Sequence, residues 1–206
     1  AEITRPEHYT DGEQNVDYVL TTTEITRMIQ EAGIDLAQVQ PEALDMPFGL
    51  SSGAGAIFGV TGGVTEAVLR RLINSSRAED LEEISFSGIR GVDGIKEAKV
   101  NLNGREVKIA VVNGLHCAED LLDKMKAGEV HYDFVEVMAC KRGCIAGGGQ
   151  PVPIGPRTKK ARLEGIYKID SMAQIKLSNE NPIITEVYAG ILKGKEHKLL
   201  HNEMNV

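Results

Sequence analysis

The residues best equipped for chemistry lie in "MACKRGCIAGGGQP", Met138 to Pro151, where Cys140 and Cys144 are separated by three residues and followed by three glycines, a glutamine and a proline. Thiolates are soft ligands favoured by zinc and by iron–sulfur clusters, and two cysteines on one loop can reach a single centre if the backbone between them bends. Glycines beside them let backbone N–H groups approach a bulky anionic group without a Cβ clash and donate hydrogen bonds to its sulfurs. Lys141 and Arg142 add positive charge next to such a group. A closed zinc site needs four ligands, and the chain has no second cysteine pair. Spacing alone therefore leaves two readings open: half of an iron–sulfur site, or a strand-end thiol and a loop thiol beside an ordinary turn.

Other reactive side chains have simpler explanations. His116 and Cys117 are adjacent at a helix start, a pairing that is usually structural. Glu136, just ahead of Cys140, would orient the loop, accept a proton or pair with a neighbouring base. His197 and His201 have i, i+4 spacing, but the metalloprotease glutamate is absent and an exposed pair is the simpler reading. The glycines of "GAGAIFG" do not follow the dinucleotide-loop pattern, since Phe58 takes the third glycine's place. Asn74-Ser75-Ser76 is a glycosylation site only in a secreted protein.

The elements that must hold the cysteine loop follow from periodicity. "NVDYVLTT" (15–22) alternates like a strand, and "TTEITRMIQEAG" reads as a helix that begins at threonines and stops at Gly33. "GLSSGAGAIFGVTGG" is a close-packed turn feeding the helix "VTEAVLRRLINSS". "EEISFSGI" and "IKEAKVNLNGREVKIAVVNG" read as strands, with Asn103-Gly104 as a two-residue hairpin turn. "LHCAEDLLDKMKAG" is an amphipathic helix closed by Gly128, and "YDFVEVMA" is the strand that delivers the loop. After Pro151, three stretches read as surface helices, one with Pro182 in its first turn.

The predicted fold is α/β: a mostly parallel twisted sheet flanked by helices, with a local antiparallel hairpin and a helical C-terminal extension. Residues 1–151 are expected to form the α/β lobe ending in the Cys/Gly-rich loop, and 152–206 a helical extension packed on it. In such sheets ligands sit beyond the carboxyl ends of the strands, where the cysteine loop emerges.

With 206 residues, 42% apolar and 26% charged, the chain has an ordinary globular composition. A formal charge of -7 and no long basic run argue against a nucleic-acid partner. No apolar run is long enough to span a bilayer, the N-terminus is unlike a signal peptide, and three cysteines are too few for a disulfide scaffold, so a cytoplasmic location is expected.

"EVMACKRGCIAGGGQP" (Glu136 to Pro151) resembles the third signature of the iron-only (FeFe) hydrogenases. "FGLSSGAGAIFGVTGGVTEAVLR" (Phe48 to Arg70) resembles the glycine-rich segment that precedes it in that family. "IRGVDGIKEAKVNLNGREVKIAVVNG" and the terminal "YAG…KEHKLLH" also resemble the family's C-terminal half, so the likeness covers essentially the whole chain. The resemblance implies a site, the H-cluster, in which a 4Fe–4S cubane held by four cysteines shares one cysteine sulfur with a diiron unit. By the same resemblance Cys140 is a cubane ligand and Cys144 the bridging ligand. Met138 lies near the diiron unit, with Cys144, as a catalytic position. Gly143, Gly147, Gly148, Phe58, Ser52 and Gly53 border the cofactor. The implied activity is reversible H2 oxidation and proton reduction, with electrons exchanged with ferredoxin, a similar carrier or an NAD-linked system.

The family's first two signatures, carrying the other cubane cysteines and the thiol that delivers protons, do not occur in the chain, and Ala1 falls just past the second. Cys117 lies outside the motifs and does not replace them. Lys141 and Arg142 stand where small residues are common. The chain is therefore expected to be the C-terminal lobe of a hydrogenase, as a fragment or as one subunit of a split enzyme, inactive and without the cluster when alone. Its partner is the N-terminal half of the catalytic domain or other hydrogenase subunits. A non-catalytic iron–sulfur assembly or sensory relative and a plain interaction module are the alternatives.

Overall fold

The computed structural model describes residues 6–46, 49–73, 94–102, 104–141 and 143–200. The chain divides into two compact units, Ala1–Glu42 with Gly148–Gly155, and Ala43–Gly147 with Pro156–Val206.

In the smaller unit β1 (Tyr9–Thr10) pairs antiparallel with β2 (Glu13–Gln14). Helix α1 (Thr22–Glu31) starts at Thr21, whose hydroxyl accepts from Glu24 N at 3.3 Å while the Glu24 carboxylate accepts from Thr21 N at 2.7 Å. This reciprocal cap satisfies two backbone donors that a helix start otherwise leaves open. Gly149 O accepts from both Thr23 N and Thr23 Oγ1 at 2.9 Å, which ties the glycine run to the first turn of α1. Residues 15–22 are not a strand: 15–21 are irregular and Thr22 opens α1. Alternating side chains make a strand only where a neighbouring backbone can pair, and here Tyr18 and Val19 stand in solvent, 83% and 58% exposed.

The larger unit begins with α2 (Gly53–Ala56), a 3-10 turn at Ile57–Gly59, and α3 (Gly63–Ile73). Strands β3 (Ile95–Leu102) and β4 (Arg105–Asn113) form an antiparallel hairpin. Helix α4 (Leu115–Lys126) carries the chain to β5 (Phe134–Met138), which pairs parallel with β4. Then come α5 (Pro156–Met172), α6 (Pro182–Ala189) and α7 (Glu196–Leu200), with Pro182 in the first turn of α6. The α/β class, the hairpin and the helical C-terminal stretch appear as expected. Among the described residues the sheet, ordered β3-β4-β5, is mixed rather than mostly parallel. The strand expected at 82–89 lies outside them, as do Asn103 of the hairpin turn and the Asn74 sequon.

The two faces of the sheet follow from strand parity. Ile109 and Val111 of β4 pack with Ala98, Val100 and Leu69 of α3, whereas Ala110 and Val112 pack with Ala118 and Leu121 of α4. Cys117 belongs to this second cluster, which gives it a core-packing role. Gly63 lets α3 start close to the preceding turn, because a Cβ there would lie 1.7 Å from Ile57 O.

Candidate functional site

Strand β5 carries the site, and parity decides which of its side chains enter it. Phe134 joins the α3-side cluster and Val135 the α4-side cluster, so Glu136 and Met138 share the α3 side. The strand is registered at its entrance: Asp133 accepts from Lys108 N at 2.9 Å and from Arg105. These bonds, the backbone one foremost, hold the Asp133 carboxyl below its ordinary range. At its far end, Gly114 N donates to Met138 O at 2.8 Å.

Glu136 is only 7% exposed. Its carboxylate accepts from Gly62 N at 2.8 Å, Thr65 N at 2.7 Å and Thr65 Oγ1 at 2.6 Å, all at the start of α3. A buried carboxylate needs such donors, and the positive end of a helix is a favourable place for it. No base pairs with it in these bonds; the partners are backbone amides and a hydroxyl. One residue from Gly62, Thr61 Oγ1 accepts from Asn113 Nδ2 at 3.0 Å. Glu136 and Asn113, on neighbouring strands, thus hold one turn.

The cysteine loop leans on that same turn. Gly143 has φ +65 and ψ 176, a conformation essentially reserved for glycine. Its N–H donates to Cys140 O at 2.9 Å, which closes the bend between the cysteines. A Cβ on Gly143 would stand 3.6 Å from Thr61 Oγ1 and 3.7 Å from Gly59 O, so the loop and the turn after Phe58 are near neighbours. Ile145 and Ala146 are buried as the loop's footing, and Arg162 of α5 donates to Ile145 O at 2.8 Å. Cys140 and Cys144 are free and exposed.

The structure therefore gathers Cys140, Gly143, Cys144 and Gly147 on one loop, with Met138, half-buried, at its root. Phe58 is 49% exposed on the neighbouring turn. Ser52 and Gly53 build the α2 turn. The Ser52 hydroxyl caps α2 through Gly55 N at 3.1 Å and lies 3.2 Å from Ser178 Oγ, while Gly53 N donates to Ile175 O and the glycine abuts Asp170. Gly148 belongs to the smaller unit and its Cβ position is open. Arg142 and His201 lie outside the described residues. His116 is exposed, with Asp120 at 3.9 Å.

Sequence reading missed the Glu136 clamp's partners and the Arg162 contact. The signal for the first was a lone carboxylate inside the apolar run "FVEVM" on the inward parity; Arg162 carried none.

The donor set fits a share of an iron–sulfur site: two solvent-facing thiols, a glycine-shaped bend between them and a buried footing. No three His, Cys, Asp or Glu residues among the described ones are grouped to hold a metal.

The family described as "Iron only hydrogenase large subunit, C-terminal domain" matches residues 1–148. The chain belongs to this family. A second family, described as "Iron hydrogenase small subunit", matches residues 156–203. The NADP-reducing hydrogenase subunit HndD of Solidesulfovibrio fructosivorans is 42% identical over 205 residues, which are 97% of this chain and 35% of that protein. The cytosolic iron-sulfur assembly component 3 of Mus musculus is 31% identical over 216 residues, 98% of this chain and 44% of that protein. A solved FeFe-hydrogenase variant from Chlamydomonas reinhardtii superposes with a TM-score of 0.68 at 33% identity, covering 98% of this chain and 59% of that one. The chain thus spans 35% and 44% of the length of these two curated relatives. Among its described residues no helix is long and apolar enough to cross a membrane.

Proposed function

We propose that the chain supplies half of the cradle for the H-cluster of an iron-only hydrogenase, Cys140 and Cys144 being two of its thiolate ligands and Cys144 the one shared with the diiron unit. The observation that carries this reading is the pair of exposed thiols on a glycine-bent, anchored loop at the carboxyl end of β5, in a chain of this family. When bound, the cluster would supply heterolytic H2 cleavage and single-electron transfer.

The chain's own residues bind, orient and cover. Gly143 supplies the bend between the two cysteines, Gly147 keeps the following backbone close, and Met138 and Phe58 would present apolar surface to the cluster. Ser52 and Gly53 complete the proposed lining by fixing the α2 turn. The other ligands would come from the N-terminal half of the catalytic domain or another hydrogenase subunit, and electrons would pass to ferredoxin or a similar carrier in the cytoplasm.

Kinship to an iron–sulfur assembly component is the observation behind a second, non-catalytic reading, which the higher identity to HndD makes the less favoured of the two. The test is H2 evolution by this chain co-assembled anaerobically with the N-terminal half of a hydrogenase catalytic domain and matured with the cluster. Activity that disappears in Cys144→Ser is expected; a cluster-loaded assembly with no H2 activity would favour the assembly-factor reading.

A further inference from the structure

The cysteine loop rests on the turn at Gly59–Thr61, and that turn is held by a carboxylate on the strand that launches the loop. Glu136 lies on β5, four residues before Cys140, and is buried. It binds Gly62 and Thr65, respectively 74 and 71 residues away in sequence, through three bonds of 2.6–2.8 Å. Gly62 immediately follows Thr61, the residue whose hydroxyl faces Gly143 and is held by Asn113 from β4. A single carboxylate therefore fixes the distance between the strand that launches the loop and the turn on which the loop rests. Charge-assisted bonds to backbone N–H groups are short and directional, which suits them to setting position.

We infer that Glu136 is a positioning residue that preorganises Cys140 and Cys144 for metal binding by locking β5 to the Gly59–Thr65 turn. This rests on the proposed role of the two thiols and adds a residue that sets their geometry. Thr65 shares the task, since both its backbone amide and its hydroxyl bond the same carboxylate oxygen. In Glu136→Gln the side-chain shape is kept, but an amide replaces a carboxylate that accepts three donors, so one donor must face another donor.

The test is a titration of the anaerobic, reduced 206-residue chain with Cd2+, followed by thiolate-to-metal charge-transfer absorbance, with Cys140→Ser and Cys144→Ser defining the signal. Supporting groups behind metal ligands typically contribute 10–100-fold to affinity. Glu136→Gln is expected to weaken Cd2+ binding at this pair by about 10-fold or more. Thr65→Val is expected to weaken it less, in the same direction, and it decides the matter if Glu136→Gln fails to fold. The alkylation rate of Cys117 serves as an internal control and should not change. Unchanged Cd2+ affinity in folded Glu136→Gln, or in Thr65→Val alone if the former does not fold, would overturn the inference while leaving the thiol assignment intact. A wild-type signal that survives both cysteine substitutions would overturn the thiol assignment and the inference with it.

Discussion

The guanidinium of Arg70 in α3 meets both carboxylate oxygens of Asp170 in α5, each at 2.7 Å, across 100 residues of sequence. Glu66, one helical turn before, takes a further bond at 2.5 Å. This buried triad joins the part of the chain that matches the large-subunit family to the part that matches the small-subunit family. Burial alone would lower the Arg70 pKa, but the Asp170 bonds and the charges of Glu66 and Asp170 outweigh it and raise it.

Removing the cation takes both guanidinium bonds from the buried Asp170 carboxylate. Arg70→Leu is expected to destabilise the larger unit by ~3–5 kcal/mol in urea unfolding, and replacing all three members by apolar residues should recover much of that loss. A change below about 1 kcal/mol for the single substitution, the range of an exposed pair, would contradict the reading of the triad as a buried tie.

Tyr132 donates its phenol proton to Glu97, and this bond, with burial and the carboxylate's charge acting in the same direction, pushes its pKa up to about 12. Because the folded value exceeds the ordinary one near 10, the pair's contribution is complete below pH 10 and is lost as pH rises toward 12. Ultraviolet titration of the native chain should show Tyr132 ionising about two units late. Glu97→Gln should bring that step down, and Tyr132→Phe should abolish it.

Glu24 is the acid counterpart. Its bonds to the Thr21 backbone and hydroxyl hold its carboxyl below the ordinary value. The cap therefore contributes above pH 4.5 and is lost as pH falls through the depressed folded value. Amide exchange in the first turn of α1 should accelerate on acidification, and Glu24→Gln should show that faster exchange already at neutral pH.

Gly143→Ala places a side chain in a conformation that costs about 1–3 kcal/mol outside glycine. A corresponding fall in unfolding free energy is expected, with no added clash, since the nearest atom to the new methyl lies at 3.6 Å. Gly155→Ala, at an open position without positive φ, is the matched control.

Most helix bounds were legible because caps and periodicity are local. Thr21 with Glu24 announces α1, Gly33 ends it, and Pro182 opens α6. The cysteine loop was legible for a different reason, since its residue types and their order carry the family likeness. What stayed hidden is non-local. Nothing near Tyr18 and Val19 tells that they stay exposed. Nor does anything local tell that Glu136 meets Gly62, that Ser52 is spent on capping α2, or that Arg70 waits for Asp170. Each depends on which segments the sheet and helices bring together.

The most direct test is iron and acid-labile sulfide content after anaerobic reconstitution of the chain assembled with the N-terminal half of the domain, comparing Cys140→Ser, Cys144→Ser and Cys117→Ser with the unaltered protein. Loss of iron and sulfide in the first two and full loading in the third is the expected result. Full loading in either of the first two, or equal loss in all three, would contradict the assignment of Cys140 and Cys144 as the chain's cluster ligands.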